Sequence, residues 1–109
     1  MGWADDLIFP LSMGNTVKFR PKGNSMQGKI ESGQQVTVQP LTDPQGLNRE
    51  VGPPAVGDVV LCKVNGRQFL HLVKAIGSDG RFQIGNNKGH INGWTTLDNI
   101  FGIVTAVED

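Results

Sequence analysis

The sequence predicts a single all-β domain, a coiled meander of short strands with at most one short helical turn. Three observations carry that expectation. The 109 residues suit one domain able to bury about two thirds of its unfolded surface. The 15 glycines and 6 prolines cut the chain into short segments, none with a sustained helical period. Several of those segments alternate apolar with polar residues, the pattern of a strand with one buried face.

Taken in order, residues 1–15 read as an N-terminal extension. Asp5 and Asp6 precede a short apolar piece, where a signal peptide would have early positive charge and a longer apolar core. Thr16 to Arg20 reads as a strand, with Val17 and Phe19 on one face and Lys18 and Arg20 on the other. Ser25 to Glu31 holds Met26 and Ile30 four apart, which permits one helical turn. Gln35 to Gln39 alternates again and aligns Val36 with Val38. Residues 41–56 carry Pro44, Gly46, Gly52, Pro53 and Pro54 and form a long surface loop. Gly57-Asp58 then opens the apolar run Val59 to Val64. Asn65-Gly66 is a two-residue type I′ hairpin signal, and Gln68 to Ile76 returns as the partner strand. Asp79-Gly80 reads as a second such turn before Arg81 to Ile84. Residues 85–93 are a loop, and Ile100 to Val107 gives a last strand. Within that stretch Gly89-His90-Ile91-Asn92-Gly93-Trp94 is distinctive in composition, yet its residues alone assign it no mechanism. Trp94 is expected to pack over the sheet edge.

Composition narrows the function. Ten basic and ten acidic residues cancel, and a nucleic-acid footprint would need a basic excess on some face. The single cysteine, Cys62, cannot form an internal disulfide, and within Val59-Val60-Leu61-Cys62 it reads as a small buried hydrophobe. No apolar stretch approaches the roughly 20 residues that span a bilayer, so the expected setting is soluble and cytoplasmic, without a membrane anchor. The two histidines, His71 and His90, lack the ligand spacing of a zinc site, and no metal or other cofactor is expected. Exposed edge strands leave room for a homodimer.

Three pieces could carry chemistry. Gly23-Asn24-Ser25-Met26 places a serine in a glycine-containing turn. Such a turn exposes the hydroxyl and aims backbone N–H groups where an oxyanion would form. On Phe69 to Ile76, alternation puts Phe69, His71, Val73 and Ala75 on one face and Leu70, Leu72, Lys74 and Ile76 on the other. Both faces are largely apolar, so the strand is central and His71 is desolvated and in need of a partner. That partner is either any polar core group or, across the sheet, a serine hydroxyl completing a Ser–His dyad. In Gly85-Asn86-Asn87-Lys88-Gly89, Asn86 or Asn87 either stabilises a turn through its own backbone or accepts from the His71 Nδ1–H.

In this order the pieces resemble the superfamily of LexA-type repressors, UmuD-like proteins and signal peptidases. Gly23-Asn24-Ser25-Met26 is similar to its Gly-x-Ser-Met nucleophile box, Gly57-Asp58-Val59-Val60-Leu61 to its Gly-Asp strand, and Phe101-Gly102-Ile103-Val104 to its last strand. The resemblance covers about Lys18 to Val107. It implies a coiled sheet or partly closed barrel, with Ser25 as nucleophile and Gly23, Asn24 and Met26 in the nucleophile and oxyanion loop. Where LexA-type and bacterial enzymes place a lysine base, this chain has His71. It is in this closest to the Ser–His signal peptidases, whose Gly-Asp-Asn-Asn segment is echoed by Gly85-Asn86-Asn87 without the acidic residue. Lys74 is the alternative base. The function so implied is a serine endopeptidase with a Ser25–His71 dyad acting on a peptide or protein. The alternative is a catalytically inactive peptide- or protein-binding accessory module that keeps the fold.

Overall fold

A computed structural model describes residues 2–41 and 53–109. It comprises a helix α1 (Asp5–Ser12) and seven strands: β1 (Val17–Phe19), β2 (Gln35–Pro40), β3 (Val59–Val64), β4 (Arg67–Ile76), β5 (Phe82–Gly85), β6 (Ile91–Thr95) and β7 (Ile100–Glu108). A 3-10 turn, Leu97–Asn99, precedes β7. All strand pairs are antiparallel, in one sheet of order β1-β2-β7-β3-β4-β5-β6. The mainly β expectation is therefore met. The sheet is open, with β1 and β6 at its edges, although β6 curls back far enough for the Thr95 hydroxyl to donate to the Lys63 carbonyl of β3 at 2.7 Å.

Two element assignments need correction, and both involve glycine- or proline-marked segments. The N-terminal extension contains an eight-residue helix, more than the single turn foreseen. Ala4, Leu7, Ile8 and Leu11 recur at i, i+3, i+4 and i+7 and pack this helix on the sheet. Asp5 and Asp6 lie in its first turn, where their charge suits the helix N-terminus. Pro10 withholds one N–H, and Gly14, at φ 86°, ends the helix within a turn. Residues 85–93 are likewise not all loop, because Ile91–Thr95 forms the edge strand β6. Of the surface loop foreseen over residues 41–56, residues 42–52 lie outside the described residues.

The turns separate by their backbone demands. Asn65 and Gly66 have φ of 51° and 81°, as the type I′ hairpin between β3 and β4 requires. The Asp79-Gly80 connection is wider than foreseen. Gly77 N–H donates to Arg81 O and Gly80 N–H to Gly77 O, and the Asp79 carboxylate accepts from Arg81 N–H, so a side chain supports the turn. Strand β7 joins the two halves of the sheet, pairing with β3 through residues 100–103 and with β2 through 102–108. At its crossing point a Cβ on Gly102 would lie 2.6 Å from Val38 Cγ1 and 2.7 Å from Gln39 O, so only glycine fits.

The apolar residues form two clusters. One lies between α1 and the sheet and includes Leu11, Met26, Ile30, Val36, Val38, Leu61, Leu70 and Leu72. The other fills the curled half and includes Val60, Cys62, Val73, Phe82, Ile84 and Ile103. Cys62 is fully buried there, and desolvation pushes its thiol up to about 12. Among the described residues no helix is long and apolar enough to cross a membrane.

Helix α1 is tied to the sheet by the buried Gln68 of β4. Its Oε1 accepts from Ala4 N–H at 2.6 Å, its Nε2 donates to Asp5 Oδ1 at 2.6 Å, and its carbonyl accepts from the Trp3 indole at 3.1 Å. The Gln68 Nε2 bond, with a second from Gly2 N–H, holds the exposed Asp5 carboxyl below the usual carboxylate range. Replacing Gln68 by Ala would strand the N–H of the fully buried Ala4. The expected cost is about 1–3 kcal/mol, read as a lower urea midpoint; an unchanged midpoint would contradict this account of how α1 is anchored.

Candidate functional site

The nucleophile turn is compact because its backbone closes on itself. Gln27 N–H donates to Asn24 O at 3.2 Å, and Lys29 and Ile30 N–H both donate to Met26 O, at 2.9 and 2.8 Å. Met26 and Ile30 are buried in the first apolar cluster, so the turn is pinned by its apolar side and Ser25 is left partly exposed. The Ser25 N–H makes no hydrogen bond among the described residues, which leaves it free to meet an oxygen in the cleft.

His71 comes from the central strand β4, opposite Val60 of β3. It is 8% exposed and stacks on Phe69 with ring centroids 5.0 Å apart. Its Nε2 lies 3.1 Å from Ser25 Oγ and its Nδ1 lies 2.7 Å from Asn92 Oδ1. An amide oxygen only accepts, so Nδ1 carries the proton and Nε2 offers its lone pair to the Ser25 hydroxyl. Burial pushes the imidazole below its ordinary 6.5, assisted by nearby His90 and opposed by the Asn92 hydrogen bond. The ring is neutral at pH 7, the form in which it can take a proton.

Ser25 and His71 are thus brought together, whereas Asn86 and Asn87 do not touch His71. Asn86 shapes its own loop, its Oδ1 accepting from Lys88 and His90 N–H. Asn87 holds the serine turn: its N–H donates to Ser25 O at 3.0 Å and its Nδ2 to Gln27 O at 2.9 Å. Gly28, at φ 99°, makes room, since a Cβ there would sit 3.0 Å from Asn87 Nδ2. Lys74 forms no hydrogen bond to Ser25 among the described residues, and its Cε runs along Gly85. Gly23 and Asn24 are exposed in the serine turn, Gly23 N–H donating to Ser32 Oγ.

The residue that orients His71 is Asn92, from the segment Gly89 to Trp94. Between Gly85↔Ile91 and Ile84↔Gly93 the β5–β6 register advances one residue on β5 and two on β6. Asn92 is the extra residue of a β-bulge, and bulges re-aim side chains. The hairpin made by β5 and β6 therefore holds both partners, Ser25 through Asn87 and His71 through Asn92. A similar shift between Val73 and Ala75 makes Lys74 the extra residue of β4, so strict alternation does not describe its direction.

The dyad opens on a cleft of about 560 Å³ whose lining includes Trp3, Leu7, Phe19, Met26, Ile30 and Leu70 together with Ser25 and His71. Among the described residues no three His, Cys, Asp or Glu side chains gather as metal ligands would. No protein family, no curated protein and no solved structure matches the chain.

The His71 shift has a stability consequence. A histidine depressed on folding binds fewer protons folded than unfolded. Its contribution is therefore complete above about 6.5 and is lost as pH falls toward the folded value. The urea midpoint of the native chain is expected to drop between about pH 7 and about pH 5 more than that of His71→Gln. Asn92→Asp, which puts a carboxylate on Nδ1, should move this drop to lower stability cost by raising the His71 pKa. Equal pH dependence in all three chains would contradict the assignment.

Proposed function

We propose that the protein is a serine endopeptidase-like hydrolase with Ser25 as nucleophile, His71 as general base and Asn92 as the residue orienting His71. The observation that carries this reading is the continuous line from Ser25 Oγ to His71 Nε2 at 3.1 Å and from Nδ1 to Asn92 at 2.7 Å, at the wall of an apolar cleft. In the reaction, Ser25 Oγ attacks a peptide carbonyl as its proton passes to His71 Nε2. The tetrahedral oxyanion is met by the Ser25 N–H and a neighbouring loop amide. As the C–N bond breaks, His71 returns the proton to the leaving amine and an acyl-serine remains. Water, deprotonated by the same nitrogen, then releases the acid and restores Ser25. The resemblance of the serine, Gly-Asp and last-strand boxes to the LexA and signal-peptidase superfamily supports the same chemistry. In this reading the protein works in the cytoplasm, where a lone buried thiol needs no oxidising compartment.

One observation favours a second reading. Asn92 orients the imidazole but carries no charge to offset the imidazolium that forms during attack, so a peptide-binding module that has given up hydrolysis would look similar. Covalent labelling decides between them. A fluorophosphonate should add once to the native chain by intact mass, with loss of fluoride. Ser25→Ala should abolish the adduct, and His71→Ala should slow it at least about 100-fold. Lys74→Ala should label like the native chain. A folded native chain that takes no adduct would end the peptidase reading in favour of the binding module.

A further inference from the structure

The cleft beside the dyad is built for a bulk that the serine turn itself does not dictate. Its lining brings together Trp3 and Leu7 of the N-terminal segment, Phe19 of β1, Met26 and Ile30 of the serine turn, and Leu70 of β4. Trp3 is 55% exposed yet held in place, with its indole N–H on Gln68 O at 3.1 Å and its ring tilted against Phe19 at a centroid distance of 6.0 Å. An aromatic ring fixed by a hydrogen bond and left open to water is apolar surface awaiting cover. The charged groups at the cleft, Asp6 and Glu31 against Arg20 and Lys22, cancel in sign, so the cleft carries no field that selects a charged group. About 560 Å³ is far more than a methyl side chain fills.

We infer that this cleft is a specificity subsite taking a bulky apolar peptide side chain, of leucine or phenylalanine size, flanking the carbonyl that Ser25 attacks. The inference rests on the peptidase reading above. Each added methylene that reaches such a wall strengthens binding several-fold, so a large group should outpace a small one by at least about tenfold. Water leaving Trp3 and Phe19 supplies the gain, and the neutral rim adds none.

Two fluorophosphonates differing only in the group on phosphorus, ethyl or phenylbutyl, separate the two ideas. In each, the Ser25 Oγ–P bond forms, fluoride leaves and His71 takes the proton. Labelling rates are divided by each probe's own hydrolysis rate in buffer. The phenylbutyl probe is expected to label the native chain at least about tenfold faster. Trp3→Ala should collapse that ratio toward one, and Trp3→Phe should restore part of it. Equal rates, or a faster ethyl probe, on the native chain would overturn the subsite while leaving the dyad standing. Labelling by neither probe would overturn both.

Discussion

A desolvated imidazole is the constraint on which the site depends. His71 sits on a strand covered on both faces, and a buried ring nitrogen without a partner would cost a large part of a small domain's stability. Both nitrogens are satisfied, and the two partners differ in kind. Asn92 can only accept at its oxygen, so it fixes the tautomer. The Ser25 hydroxyl can donate, so it takes the nitrogen that remains. Satisfying the core thus generates a serine whose proton already points at a base. Structure and candidate chemistry are the same set of hydrogen bonds.

The arrangement needs two distant chain segments delivered to one strand, and the sheet does this by departing from regular pairing. The β-bulge at Asn92 turns that side chain toward β4, and the hairpin carrying it also reaches the serine turn through Asn87. A shift in the hairpin would therefore disturb nucleophile and base together. Strand β7 plays the corresponding part for the scaffold. It holds β2 and β3 at a crossing where Gly102 has no space for a side chain, so the half that carries the serine turn and the half that carries His71 keep one registration. Helix α1, bound through Gln68 three residues before His71, completes the cleft wall on the same strand.

Regular alternation was readable and its interruptions were not. The pair Val36 with Val38 and the Asn65-Gly66 turn obey a period and a backbone rule, and each appears as foreseen. Ser25 and His71 were legible as a glycine-turn serine and a histidine on a central strand. Asn92 was not, because a bulge is a property of two paired strands and the glycine-flanked β6 carries no alternating pattern of its own. Asn86 and Asn87 have side chains able to accept from His71 or to stabilise a turn, and in the structure Asn86 shapes its own loop while Asn87 braces Ser25. Helix α1 is encoded in the spacing of Ala4, Leu7, Ile8 and Leu11, which is short and is interrupted by Pro10. The cleft had no sequence signal at all, since its walls come from residues 3 to 71 and meet only after folding.

The central claim is that His71 is neutral, protonated at Nδ1 and open at Nε2 toward Ser25. Side-chain nitrogen NMR of the histidines, followed through pH on the native chain, tests it most directly. The account predicts the Nδ1–H tautomer for His71 and a midpoint below its ordinary 6.5. A proton resident on Nε2, or a midpoint at or above that value, would contradict it.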